Sequence, residues 1–526
     1  MKFSVHLTLA ALAGRGLQLA GAAAVEDAAA SSAAKCCAVL EKSFPGKTFS
    51  ATNQRNLYQK FIASYFSVND RLTPTCAVSP KNTKDVAAIV GLLSKNACKF
   101  AVKSGGHGIV TGSSNIKEGV TVDLRSMRSV SLNKQKKTTT VQPGAKWIDV
   151  YNYLDPLGWA IPGGRAGTVG VGGLTSGGGN SFFAARYGFA CDNVKRFEVV
   201  LGNGTVVEAT NTTNADLFTA LKGSQNNLGI ITKFDFVAFE QSDLWGGTAS
   251  YGKQTLPDQI KAFYEFTKNL KDDPYGSLIF IWSYFPKIPN EADRITITNL
   301  YEYTENLTGP VTTYPPPFKG FAPDSPIGPP TANTLRVANL SSLTGELNSP
   351  PELSNLYATL TLTNNVTILN EVARILSEEI EYYKNDTFLE YGSILLQPLP
   401  RLFTDRSVER GGNVLGLDRY EDDNIIFQLD LAWNGTQFDE RARSVADKVM
   451  GDLTTYLEGE KALKDFQYIN YAFQDQDPLG GYGASALGKI KAASKKYDVG
   501  QVFQKLVPGG FKLAGAGSGN KYNRTM

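Results

Sequence analysis

Residues 162–180 read Pro-Gly-Gly-Arg-Ala-Gly-Thr-Val-Gly-Val-Gly-Gly-Leu-Thr-Ser-Gly-Gly-Gly-Asn, the densest glycine run in a chain of 526 residues with 51 glycines. Val169, Val171 and Leu174 are interleaved with the glycines, and Phe182 and Phe183 follow, so the run does not read as a polar linker. Glycines lacking Cβ let backbone N–H groups converge on an anion, the nest geometry that binds phosphate. A shorter loop of the same kind, Ser104-Gly105-Gly106-His107-Gly108, closes an apolar stretch at 98–102. Two such loops around one extended ligand suit a pyrophosphate carrying a long organic body.

Working outward from these loops, the first lobe reads as α+β. Val86, Ile89, Val90 and Leu93 fall at i, i+3, i+4 and i+7 and predict a helix over 81–93. Short β-type runs follow at 120–124, 130–132 and 138–141, then a helix carrying Trp147, Val150 and Tyr151. Strand patterns resume at 197–201, with a hairpin turn at Gly202-Asn203-Gly204. From about residue 240 the texture changes. Strands are expected at 278–285, 294–301 and 425–433, and helices at 257–269, 368–384 and 438–458. This pattern predicts an antiparallel sheet covered by helices. Ten of the 24 prolines lie between 310 and 351, a long loop expected to cover a site or surface. Residues 466–471 look strand-like, and a helix is expected near 486–494.

Composition narrows the chemistry. Lys plus Arg number 53 against 50 Asp plus Glu, so no strong basic field argues for nucleic acid or an anionic membrane. Of two histidines, His6 lies in the expected leader, leaving His107. One histidine is too few for three-His zinc or a two-His iron site, so no metal is expected. No G-x-G-x-x-G or G-x-S-x-G motif occurs, and Gly483 to Ile490 misses a Walker A loop by placing Ile490 where a hydroxyl is needed. A neutral imidazole inside a cofactor cradle is a competent nucleophile.

Residues 1–24 read as a secretory leader with Lys2, an apolar stretch at 7–13 and Ala22-Ala23-Ala24 as the cleavage site, although Arg15 interrupts it. Eight N-x-[ST] sequons, at Asn203, Asn211, Asn306, Asn339, Asn365, Asn385, Asn434 and Asn523, exceed the roughly five expected by chance. Together these favour a secreted glycoprotein. Of five cysteines, one bridge from the Cys36/Cys37 pair to Cys76 or Cys98 is one reading and five reduced thiols the other; Cys191 reads as a buried structural thiol.

Several segments together carry a family resemblance: Ser104 to Gly108, residues 162–180, Tyr187 to Val194, Gly223 to Thr232, Tyr468-Ile469-Asn470-Tyr471, and Tyr497-Asp498, Phe503 and Gly509-Gly510-Phe511 in the tail. They resemble FAD-linked oxidases of the fungal berberine-bridge-enzyme-like, vanillyl-alcohol-oxidase group, with a p-cresol-methylhydroxylase-type FAD domain. The resemblance spans about 36–513. It implies an FAD-binding domain over 36–240 with its core at about 70–240, and a substrate domain over 241–460. A C-terminal segment, 461–513, would pack back on the FAD domain. It also implies a covalent bond from His107 to the flavin 8α-methyl. Ser104, Gly105, Gly106, Gly108, Ala166, Gly167, Val169, Gly170, Gly172, Gly173, Ser176, Gly177 and Gly178 would hold pyrophosphate and flavin. Gly229 and Ile230 would lie near the adenine, and Asn470 would approach the flavin. Many relatives carry a second link through a cysteine; Ala166 occupies that position here, so a single His–FAD bond is expected.

The implied chemistry is hydride transfer from a small secondary-metabolite alcohol or amine to flavin, then to O2. With no second histidine, the base must be Tyr, Asp or Glu; Tyr468 is the candidate, with Tyr284 and Tyr301 also possible. A carbohydrate oxidase on the same fold and a non-redox secreted hydrolase are the competing readings.

Overall fold

The computed structural model describes residues 31–307, 311, 313–348, 350, 352–384 and 387–517. The expected leader and the sequons at Asn385 and Asn523 lie outside them. Helix Thr83–Lys95 forms as its periodicity predicts. Asn82 caps it by accepting the Asp85 N–H, and Val86, Ile89, Val90 and Leu93 are all buried. It belongs to a small layer whose sheet runs in the order Thr48–Phe49, Cys76–Val78, Val120–Asp123, Phe100–Lys103. The last three strands are parallel. Two disulfides, Cys36–Cys98 and Cys37–Cys76, pin the helix over 31–43 to this layer. The sequence left one bridge or five reduced thiols open, and two bridges form. Neighbouring helical residues point about 100° apart, so each of the adjacent cysteines reaches a different partner. Cys191 is free and buried.

A second sheet is antiparallel, in the order Val130–Asn133, Thr138–Val141, Ile230–Val237, Val194–Val200, Val206–Thr210. The expected hairpin closes through a 2.9 Å bond from Leu201 N–H to Thr205 O.

The largest sheet has nine strands, and its centre runs Leu244–Gly252, Ile295–Tyr303, Gly276–Tyr284, Leu389–Leu399, Asn424–Trp433, Ser354–Thr363. All of these pairings are antiparallel. Helices Leu256–Asn269, Val366–Tyr383 and Asp439–Gly459 bury apolar faces in the same core. The fold is therefore α+β, as expected. Among the described residues, no helix is long and apolar enough to cross a membrane.

Two local expectations need correction. The 310–351 stretch is not all loop: Ala332–Asn333 and Arg336–Ala338 pair with strand Leu244–Gly252. Phe318 is buried there against Trp245 and Tyr301. Residues 466–471 are not a strand. The Phe466 N–H goes to the Tyr420 hydroxyl and the Tyr471 N–H to Tyr468 O, so the backbone serves a side chain and a turn rather than a ladder. The tail then returns to the first lobe: Phe100 N–H donates to Leu506 O at 2.8 Å, and Asn227 Nδ2 to Phe511 O at 2.9 Å.

Candidate active site

A cavity of about 630 Å³ lies between the glycine loops and the open face of the nine-stranded sheet. Its first wall is backbone. Gly105 and Gly170 meet so closely that a Cβ on Gly105 would lie 2.5 Å from the Gly170 Cα, and one on Gly170 would lie 2.5 Å from the Gly105 nitrogen. The two loops are thus locked together by the absence of side chains. Gly106 adopts φ +72°, turning the chain into a nest. The amides of Gly105, Gly106, His107 and Gly108 find no acceptor among the described residues. Four adjacent unpaired donors lining a cavity are chemically incomplete until an anion or water meets them.

His107 sits in this run. Its ring stacks on Phe66 at 3.9 Å between centroids and 9° between planes. Its Nε2 lies 3.4 Å from Thr168 Oγ1, which in turn donates to Asn348 Oδ1 at 3.1 Å. Burial pushes the imidazole down to about 4, so it is neutral at pH 7.

The C-terminal segment inserts beneath the second loop. Asn470 Nδ2 donates to Leu174 O at 3.1 Å and to the Tyr468 hydroxyl at 3.1 Å. A Cβ on Gly177 would fall 2.2 Å from Asn470 Oδ1, which explains that glycine. Tyr468 is fully buried, and its oxygen also accepts the N–H groups of Gly179 (3.0 Å) and Asn180 (2.8 Å). Burial, then the neighbouring Tyr471, drive its hydroxyl well above the usual phenol range.

The opposite wall is made of side chains. Strand residues alternate between faces, so Ile279, Ile281 and Ser283 face the cavity from one strand, and Ser393, Leu395 and Gln397 from the next. Gln428 and Asp430 do so from a third. Register pairs Ser283 with Ser393, Ser393 with Asp430 and Asp430 with Tyr357, one polar rung across four strands. Ser283 and Ser393 share a 2.8 Å hydrogen bond. Asp430 is 7% exposed, and its Oδ1 finds no hydrogen-bond partner among the described residues. Burial raises its carboxyl to about 8. Arg165 reaches across from the glycine loop to donate to Gln397 Oε1 and, at 3.1 Å, to the Tyr471 hydroxyl.

The cavity gathers Ser104, Gly105, Gly106, His107, Gly108, Ala166, Val169, Gly170, Gly173, Ser176, Tyr468 and Asn470 from the sequence-predicted set. Gly167, Gly172, Gly177 and Gly178 lie just behind this lining. There the Gly167 N–H goes to Thr344 O, and a Cβ on Gly172 would meet Ser104 Oγ at 2.8 Å. Gly229 and Ile230 pack instead against the strand of Val199 and Val200. Tyr301 turns to the helix-covered side, beside Tyr251 and Phe318, and the Tyr284 hydroxyl donates to Lys384 O. Sequence reasoning missed Asp430, Gln428, Ser393 and Phe66. The signal for the first two was present: Gln428 and Asp430 are polar at i and i+2 within the otherwise apolar run Ile425 to Trp433.

These residues fit a flavin dinucleotide. The unpaired amides of 105–108 suit a pyrophosphate, and the cavity is large enough for a ring system beside His107. Comparison with known proteins agrees. The FAD binding domain family matches residues 74–210. The FAD-dependent monooxygenase drtC of Aspergillus calidoustus is 35% identical, covering 91% of this chain and 90% of its own. The FAD-dependent monooxygenase sdcF of Emericella nidulans is 37% identical, covering 91% of this chain and 98% of its own. The fold matches the structure of berberine bridge enzyme from Eschscholzia californica at a TM-score of 0.67 and 14% identity, over 90% of this chain and 97% of that one.

Proposed function

This chain belongs to the FAD-dependent oxidoreductases of the berberine-bridge-enzyme-like group, and from that premise we propose a secreted oxidase with FAD on a single bond to His107. Its substrate is a small, largely apolar secondary-metabolite alcohol or amine, and O2 is the final acceptor. A non-redox hydrolase is incompatible with the family. The observation that carries the reading is the run of four unpaired amides at 105–108, with a half-buried, neutral imidazole among them.

The chain's residues divide the work. The amides of 105–108 would donate hydrogen bonds to the pyrophosphate, and the Gly105–Gly170 contact keeps that cradle rigid. Phe66 and Thr168 orient the imidazole of His107, which would hold the flavin and which burial keeps neutral. Ala166 leaves no thiol for a second link. Bound FAD supplies a two-electron acceptor that O2 can reoxidise. The proton of the substrate hydroxyl passes to Asp430 in its ionised form, a fraction that is minor at pH 7 and grows as pH rises toward about 8. This role goes to Asp430 rather than Tyr468, because the Tyr468 oxygen already accepts three hydrogen bonds and its hydroxyl is driven upward. Tyr468 acts as a positioning residue, holding Asn470 and the 177–180 turn. Ile279, Ile281 and Leu395 exclude water from the reacting face and favour an apolar substrate over an oligosaccharide.

Secretion is supported by the two disulfides and by exposed asparagines at the sequons Asn203, Asn211, Asn306, Asn339, Asn365 and Asn434.

The test is mass spectrometry of a tryptic digest of the yellow holoprotein. The peptide spanning Ser104 to Lys117 is expected to be heavier by one flavin dinucleotide. An unmodified peptide from fully loaded protein overturns the bond. Peroxide release, screened across alcohols, amines and sugars, tests the oxidase reading separately.

A further inference from the structure

Arg165 lines the cavity at 7% exposure. Its Nη2 donates to two neutral acceptors, Gln397 Oε1 and the Tyr471 hydroxyl. No carboxylate among the described residues pairs with it, and its Nε and Nη1 donors are unused there. The other ionisable groups on the lining do not balance it. Glu346 is held by Arg336. Burial keeps Asp430 protonated at neutral pH and His107 uncharged. Arg165 is therefore an uncompensated cation inside a largely apolar cavity. Such a charge is costly unless an anion joins it.

Its location argues for the substrate as that anion. The FAD pyrophosphate has its own backbone donors at 105–108, on the loop opposite. Arg165 reaches the substrate sheet instead, where Gln397 Nε2 donates to Gln428 Oε1 at 3.3 Å. Gln428 and Asp430 follow at i and i+2, roughly 7 Å apart on one strand face. Arg165 and Asp430 thus stand at opposite ends of one polar strip, with Ile279, Ile281 and Leu395 beside it.

We propose that Arg165 anchors an anionic oxygen of the substrate, which makes the preferred substrates apolar organic acids, carboxylates or acidic phenols, with the oxidisable carbon toward Asp430 at the other end of the strip. The statement rests on the oxidoreductase reading above and names its substrate class.

Isothermal calorimetry on the purified holoprotein at pH 7 tests it with two matched pairs of probes. Benzoate is compared with benzamide, and 2,4-dinitrophenolate with 1,3-dinitrobenzene. At least one anion is expected to bind tenfold or more tightly than its neutral partner, and which pair shows it separates carboxylate from phenolate. Arg165→Met is expected to bring that ratio to about one while leaving the neutral probes' affinity unchanged. Arg165→Lys is expected to retain most of the preference. Equal affinities within both pairs in the wild type overturn the proposal, and this arm needs no variant to fold. A preference that survives in Arg165→Met also overturns it. So does an altered visible flavin spectrum in ligand-free Arg165→Met with the ratio intact, which would assign the charge to the cofactor. A colourless protein would defeat the flavin reading, yet the calorimetric ratio would still report on Arg165.

Discussion

The two walls of the cavity are built by opposite means. One is backbone: glycines at 105, 106 and 170 remove side chains so that amides reach the ligand and the loops touch. The other is side chains: Ser393, Gln397, Gln428 and Asp430 project from strands whose backbone is paired in the sheet's own ladders. A backbone wall tolerates no added atom but has little chemical identity of its own. A side-chain wall accepts substitution structurally, and its chemistry changes with each residue. The difference teaches where to strike for cofactor loss and where for altered turnover.

The backbone wall should break completely. In Gly170→Val a Cβ would be forced to within 2.5 Å of the Gly105 nitrogen, so the loops must separate. Purified protein is expected to be colourless, read as the ratio of visible to 280 nm absorbance. Gly91→Ala, on helix Thr83–Lys95 and away from the cavity, is the matched control, because nothing lies within 4 Å of a Cβ there. It should keep its flavin. Equal flavin content in Gly170→Val and wild type would show that loop contact is not what holds the cradle.

The side-chain wall should lose rate and keep colour. Asp430→Asn is expected to lower kcat by roughly 10²–10⁴-fold with flavin content unchanged. In the wild type, kcat/KM should rise with pH and level off above about 8, where the carboxyl ionises; the variant should lack that limb. Stability moves the other way. The folded-state carboxyl sits above its ordinary 3.8, so its stabilising contribution is complete below about pH 4 and is lost as pH rises through about 8. The melting temperature of Asp430→Asn relative to wild type should therefore climb over that window, by roughly 2 °C or more. A flat difference across pH 4–8 would contradict the buried, proton-holding carboxyl.

This contrast also explains what the sequence made legible. Glycine spacing at 104–108 and 163–179 reports a backbone wall directly, because few other demands produce such density. The helix over 83–95 was equally plain from its period. Asp430 was not. Its strand Asn424–Trp433 is buried on both faces, so alternation of hydrophobicity is erased and the facing of each residue depends on partners far away in sequence. Strands Ser354–Thr363 and Leu389–Leu399 were missed for related reasons: the first is buried almost throughout, and the second carries Gly392 and Pro398. Residues 466–471 misled in the other direction, since the aromatic and apolar residues there serve an insertion beneath the second glycine loop and not a sheet.

Tyr468 belongs to neither wall alone, and its replacement sharpens the comparison. Tyr468→Phe strands three donors: the Gly179 and Asn180 N–H groups and the Asn470 amide. Stability is expected to fall by on the order of 2–3 kcal/mol, measured by denaturant unfolding. The rate should fall about tenfold because the 177–180 turn relaxes. The pH limb near 8 should persist. Loss of that limb in Tyr468→Phe, with Asp430→Asn retaining it, would transfer the proton-accepting role to the tyrosine.

The smallest effect separates the two faces of a single sheet. Tyr301 lies on the central strand Ile295–Tyr303, next to the cavity-lining strand, and was a sequence candidate for the base. Its ring faces the helix side, in edge contact with Phe318 and Phe321, and its hydroxyl accepts from Asn299 Nδ2 at 2.8 Å. Tyr301→Phe removes one buried acceptor and leaves the cavity intact. It should cost about 1 kcal/mol of stability, while kcat and KM stay within about twofold of wild type. The sheet separates Tyr301 from the reacting face, so a larger kinetic change would mean that motion of the helix-covered core reaches the cavity through the strands. In that case the two walls could not be treated as independent.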